Sequence, residues 1–267
     1  MLTQHLKQLV LAFAMVPMLV QPAFAHVVWF DYKNGEYELL FGHPESGPEA
    51  FDASKFQSAT AYDLNKQVVP VEINRQDGIS VDSQREIAAL TAFYDNGYWL
   101  ENSTGDSENL SQQRAEAIGY KDVSRYLKST KAVSDWSEAI SQPFDLPLEI
   151  MPQKNPFEVT VGETLPIKVL YQGNVTQDAL VEYLGKTVNV NSEGTASILI
   201  GEGWLQVIEA SYTSPTATAP GVSYATTFNV EPVPEASALL GLGTFGLMAF
   251  IGKSRLNKAK AESGHSA

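Results

Sequence analysis

His26-Val27-Val28-Trp29-Phe30-Asp31-Tyr32-Lys33-Asn34-Gly35-Glu36-Tyr37-Glu38-Leu39-Leu40-Phe41-Gly42-His43 carries two alternating apolar faces around a central Asn-Gly. Val28, Phe30 and Tyr32 share one side of the first half, and Tyr37, Leu39 and Phe41 share one side of the second. A period of two marks strands, and Asn-Gly between two such runs is the strongest short-range hairpin signal. With Asn34 and Gly35 as the central turn residues, Lys33 pairs with Glu36, and every opposed pair of residue numbers adds up to 69. His26 then faces His43 on one side of the sheet, with Cβ atoms about 4.5 to 5.5 Å apart. The same register sets Asp31 against Glu38, a like-charge pair that costs some stability.

Outward from this hairpin the pattern stays mostly β. Strand-like runs follow at Gln67 to Ile73 and at Ile87 to Tyr94, the latter continuing through Asn96-Gly97 into Tyr98 to Leu100, and these are expected to form one sheet system with the hairpin. Between residues 107 and 133, Val123, Tyr126, Leu127, Thr130 and Val133 fall at helical spacing with Asp122 placed as a cap, which predicts a helical insertion of one or two short helices. Pro143, Pro147, Pro152 and Pro156 mark residues 141–157 as a stiff linker, since proline fixes φ and removes a backbone donor. Short strands then recur from Thr164 to Val230, separated by Gly173-Asn174, Glu193-Gly194 and Gly201-Glu202-Gly203. The expected fold is mostly β, with two β-sandwich-like domains: residues 26–140 with the helical insertion, and residues 158–232 as a small immunoglobulin-like or transthyretin-like sandwich.

Composition narrows the function. The 267 residues are 44% hydrophobic and 18% charged, a globular balance, and the formal net charge is -13. Residues 26–232 hold 13 Lys and Arg against 29 Asp and Glu, so a nucleic-acid groove is not expected. The absence of Cys removes disulfides, thiolate metal sites and a cysteine nucleophile. No G-x-S-x-G, phosphate-binding loop or dinucleotide fingerprint is present, and the chain is not expected to be an enzyme.

Both ends of the chain read as addresses. Lys7, the apolar run Leu9 to Val20 and Ala23-Phe24-Ala25 form a signal peptide over residues 1–25, so the exported chain is expected to begin at His26. At the other end, Val233-Pro234-Glu235 opens onto the apolar Ala238 to Gly252, followed by Lys253, Arg255, Lys258 and Lys260. A helix of roughly 17 residues covers about 26 Å, short for a bilayer core of about 30 Å but able to span it. This tail, residues 233–267, looks like the PEP-CTERM sorting tail of Gram-negative bacteria. The resemblance implies transient anchoring in the inner membrane and processing by an exosortase-type enzyme, although Ala236 stands where the second Pro of the motif is usual. A simple C-terminal anchor is the other reading.

His5 leaves with the signal peptide and His265 lies in the tail, so His26 and His43 are the histidines left for the body. An N-terminal His26 would offer its α-amine as well as its ring, and His43 a third nitrogen, a set that suits nickel, cobalt or copper. Glu45, Glu49 and Asp52 read as a solvated acidic face from which one carboxylate could complete the metal shell.

His26-Val27-Val28-Trp29-Phe30, Phe41-Gly42-His43-Pro44, Ser124-Arg125-Tyr126-Leu127-Lys128, and Leu146-Pro147-Leu148-Glu149-Ile150 followed by Val169-Leu170-Tyr171-Gln172-Gly173 together resemble the periplasmic NikM-like family, formerly a domain of unknown function. The resemblance implies a mature chain beginning with His, two mainly β domains, and a role in nickel or cobalt uptake beside a permease or outer-membrane receptor. Relatives that carry further histidines in the second domain differ here, where Glu209-Ala210-Ser211-Tyr212 offers none. The competing expectations are a surface or matrix protein that binds polysaccharide or other proteins, and a copper monooxygenase with a histidine brace.

Overall fold

The computed structural model describes residues 26–101, 107–202, 205–215 and 219–231. The signal peptide, the motif Val233, Pro234 and Glu235, the apolar span and the basic tail lie outside the described residues. Among the described residues no helix is long and apolar enough to cross a membrane.

The fold is mostly β and sandwich-like. In chain order the strands are β1 (Val27–Lys33), β2 (Glu36–His43), β3 (Gly47–Pro48), β4 (Phe56–Tyr62), β5 (Val68–Val69), β6 (Glu72–Asn74), β7 (Ile79–Asp82), β8 (Ala89–Glu101) and β9 (Ser107–Leu110). The helix α1 (Gln112–Ala117) precedes β10 (Val123–Val133), β11 (Leu148–Pro152), β12 (Thr164–Tyr171), β13 (Asn174–Val175), β14 (Leu180–Tyr183), β15 (Lys186–Val188), β16 (Thr195–Leu199), β17 (Ile208–Thr213) and β18 (Gly221–Val230). They form three sheets. A nine-stranded central sheet runs β15-β14-β17-β18-β10-β8-β4-β5, with β9 on β8. The hairpin sheet β1-β2-β7-β6, with β3 on β2, lies to one side, and β11-β12-β13, with β16 on β12, lies to the other.

The first hairpin has the register expected: Val27 opposes Gly42, Val28 opposes Phe41 and Lys33 opposes Glu36, with Asp31 against Glu38. Asn34 at φ 56 and Gly35 at φ 97 supply the two left-handed residues that the tight turn needs. Elsewhere three expectations are corrected. Residues 123–133 are a strand: β10 lies between β8 and β18, and from Lys128 to Val133 it is buried on both faces, which erases the period of two. The helix that does form is α1, capped by the Ser111 side chain. The run through Asn96-Gly97 into Tyr98 to Leu100 is continuous as expected, within the single strand β8, and the pairing with β10 skips Asn96 at a bulge.

The hairpin and the later runs do not all form one sheet: β5 and β8 belong to the central sheet, while β6 joins the hairpin sheet through β7. Nor is the Pro-rich stretch a bare linker: β11 runs through it with all five residues buried. Proline is tolerated there because β11 is the edge of its sheet, where a missing donor breaks no ladder. The central sheet draws strands from both sides of that stretch, joined by the parallel pair β10 and β18. One apolar cluster, with Ile150, Ile167, Ile198, Val181 and Phe228, fills the space between the central sheet and the β11-β12 sheet.

On the other side of the central sheet, β1 is docked by its free edge. Thr227 Oγ1 donates to the Val28 carbonyl at 2.7 Å, Asn229 Nδ2 to the Phe30 carbonyl at 2.8 Å, and Lys128 Nζ to the His26 carbonyl. Three side chains thus stand in for a neighbouring strand, at the two-residue spacing of one strand edge. Docking by the edge buries both faces of β1. Val28 and Phe30 pack with Leu90 and Ala92, while Val27 and Trp29 pack with Ala225.

Candidate metal centre

The edge docking fixes the place of His26, one residue before β1. Its ring stacks on Phe41 at 5.0 Å with an interplanar angle of 12°, and lies 4.8 Å from the His43 ring. The register reading therefore brings the two histidines together as expected. Both are half-buried, at the rim of a cluster in which Phe41 packs on Phe51 and Tyr94.

The third candidate ligand is Glu49, whose Oε2 lies 3.0 Å from His26 Nε2. One ligand atom from each of His26, His43 and Glu49 lies within 4.8 Å of the other two, and among the described residues no other such group of three forms. Glu49 arrives by a second fold-back. Pro44 to Ser46 turn the chain, His43 opposes Gly47, and the Glu49 amide donates to the Phe41 carbonyl at 2.7 Å. Gly42 makes this approach possible. It sits at φ +137, and a Cβ there would stand 2.9 Å from the Gly47 carbonyl oxygen and 3.2 Å from the Glu49 nitrogen.

The other two acidic candidates go elsewhere. Asp52 caps a 3-10 turn by accepting from the Ser54 amide at 2.9 Å and its hydroxyl at 2.6 Å, which holds its carboxyl below the usual range. Glu45 lies 3.9 Å from His43 Nδ1 and turns towards Gly185. The sequence contained the signal that would have singled out Glu49. A three-residue turn over Pro44 to Ser46 pairs residues whose numbers add up to 90, which sets Glu49 opposite Phe41 and beside the histidines.

Lys128 was not expected. Its side chain is 1% exposed, its amine points at the His26 carbonyl, and it lies 5.6 Å over the Phe41 ring. Burial, with a smaller push from Lys55, lowers its pKa to about 7. A lysine inside a strand carries no sequence mark of burial; the reciprocal mark is the polar Thr227 and Asn229 on β18.

Two imidazole nitrogens and a carboxylate oxygen, converging on one open end of a rigid hairpin, are a mixed donor set of the kind that first-row divalent metals take. A protein-family model described as "Domain of unknown function (DUF4198)" matches residues 23–208. The chain belongs to this family. No curated protein matches it. The part matched to DUF4198 holds His26, His43, Glu49 and Lys128, and ends before Thr227 and Asn229 of the β1 clamp.

Proposed function

We propose that this DUF4198 protein is an exported envelope protein that binds a divalent transition metal through His26, His43 and Glu49 and assists its uptake. Nickel and cobalt are the metals proposed, with copper also suited to the donors, and the resemblance to the NikM-like family points the same way. The observation that carries the reading is the convergence of three ligand atoms within 4.8 Å on a hairpin whose register is fixed by its turn. Cleavage after Ala25 would add the His26 α-amine as a fourth donor. The role is binding and delivery to a permease or outer-membrane receptor, without chemical turnover. The tail from Val233-Pro234-Glu235 would hold the precursor at the inner membrane of a Gram-negative cell until an exosortase-type enzyme removes it.

Calorimetric titration of the exported chain with Ni(II), Co(II) and Cu(II) tests this. Submicromolar to micromolar binding of one ion is expected, weakened tenfold or more by His43→Ala or Glu49→Gln and by one Ala added ahead of His26. Acid should release the ion, because protons compete for the same lone pairs. Equal affinity in all the variants would overturn the site.

A further inference from the structure

Ahead of Lys128 the central sheet loses its cover. β10 is half-buried from Ser124 to Leu127 and buried from Lys128 on, and β18 is half-buried from Gly221 to Tyr224 and buried from Ala225 to Asn229. The register sets Arg125 opposite Tyr98 and Val222, Leu127 opposite Asp95 and Tyr224, and Tyr224 opposite Tyr212. Opposed residues share a face, so these side chains form one strip. It lies on the face of β10 from which Ser129 bonds to β11, away from β1 and the histidines.

The strip is built of rings around one ion pair. At one end Tyr171, the last residue of β12, meets Tyr212 and Tyr224 with ring centroids at 4.5 and 5.3 Å. At the other, Tyr98 lies 5.7 Å from Tyr120 beside α1. All five rings are half-buried. Between the two groups Arg125 Nη2 donates to Asp95 Oδ2 at 2.5 Å, and the guanidinium lies 5.5 Å over the Tyr98 ring. The Arg125 side chain is 38% exposed, and among the described residues its guanidinium donates to Asp95 alone, so most of its five donors are left for a ligand.

We propose that this strip binds a strand of neutral polysaccharide, laid across the central sheet over Tyr98, Arg125, Asp95 and Tyr224. A sugar ring has an apolar C–H face and a rim of hydroxyls. Tyrosine answers both, with an apolar ring and a polar tip. The guanidinium beside a carboxylate sets donors and an acceptor side by side, which suits two neighbouring hydroxyls. Charge argues for a neutral polymer: Asp95 cancels Arg125 on the strip, and the 29 Asp and Glu against 13 Lys and Arg over residues 26–232 repel a polyanion. The strip crosses β17, β18, β10 and β8, three steps of about 4.8 Å, and so has room for more than one ring.

Affinity electrophoresis of the full chain through gels holding hydroxyethylcellulose, xyloglucan or galactomannan tests this, with alginate as the anionic control. At least one neutral polymer should retard the chain, and alginate should not. Tyr98→Ala and Arg125→Gln should each weaken the retardation severalfold with thermal midpoints near the parent's, and Tyr224→Phe, which keeps the ring, should retain most of it. His43→Ala should migrate like the parent while losing Ni(II), so the two sites fail separately. No retardation by any neutral polymer, stronger retardation by alginate, or retardation unchanged in both Tyr98→Ala and Arg125→Gln would overturn the proposal. So would a parent dimer in sedimentation that Tyr98→Ala makes monomeric, since the strip would then be a contact between copies of the chain.

Discussion

Lys128 and Lys131 lie three residues apart on β10, on opposite faces of the central sheet, and both are almost wholly buried, at 1% and 2% exposure. Their surroundings differ in kind. Lys131 meets the Glu149 carboxylate at 2.6 Å, and Glu149 also accepts from the Phe144 amide at 2.9 and 3.0 Å, so charge and hydrogen bonds are both balanced. Lys128 has a backbone carbonyl and an aromatic face, and no carboxylate. The same side of the sheet carries Glu209, whose pKa is pushed up to about 8, chiefly by burial. The buried lysine is paired where the chain needs only a core, and left without a carboxylate where β1 holds up the candidate metal site.

The largest effect expected from this contrast is on the balanced side. Glu149→Ala leaves the Lys131 amine buried and alone, and should cost about 3 to 5 kcal/mol. Urea midpoints of the parent and the variant measure it. Replacing both members together, Lys131→Met with Glu149→Leu, should recover most of the loss, because the penalty comes from the stranded partner. If the single and double variants were equally unstable, the pair would matter for packing rather than charge.

A smaller effect is expected at Glu209, and its sign follows from the raised pKa. Between about 4.5, the ordinary glutamate value, and about 8, the folded chain holds a proton that the unfolded chain has released. Stability from this group is therefore full below pH 4.5 and is lost as pH rises through 8. The parent should lose stability relative to Glu209→Gln across that window, and the two curves should run parallel above it. Parallel curves throughout would mean that Glu209 ionises freely.

Smaller again is the stability effect of Lys128→Met, although its effect on metal should be plain. Methionine keeps the apolar stem and strands no partner charge, leaving one carbonyl without its donor against one amine no longer desolvated. The net should fall within about 1 kcal/mol of the parent. His26 loses the tether on its carbonyl, so Ni(II) affinity should fall severalfold in calorimetry. A loss of several kcal/mol, as at Glu149, would make the two lysines equivalent and end the comparison.

How much of this was legible in the sequence depended on whether one face of a strand met water. The first hairpin was, because Asn34-Gly35 fixes the register and the alternation of Tyr37, Leu39 and Phe41 survives intact. Most of the later strands were legible for the same reason; Thr164–Tyr171 alternates between the core and partial exposure. β10 was not, since Lys128, Ser129, Thr130 and Lys131 are polar residues buried on both faces by partners far along the chain. With the alternation gone, Val123, Tyr126, Leu127, Thr130 and Val133 mimic a helix by chance of spacing. His26 with His43 followed from local register, whereas Lys128 reaches the site through long-range pairing that no local pattern encodes.

The smallest effect expected concerns the other end of the same hairpin, where the like-charge pair Asp31 and Glu38 is present as its register requires. Glu231 lies near Asp31, with its carboxylate bonded to the Tyr32 amide and its pKa raised chiefly by burial. This is also unbalanced charge, but Asp31 and Glu38 are only partly buried and sit near the turn, away from the candidate metal ligands. Glu38→Lys turns the repulsion into an attraction and should add about 0.2 to 1 kcal/mol of stability, read as a small rise in the urea midpoint. It should leave Ni(II) affinity unchanged, because the hairpin already has its register and the ligands sit at the opposite end. A change in affinity comparable with that of Lys128→Met would mean that the field of the whole acidic face acts on the ion, and that local placement by Lys128 is the lesser cause.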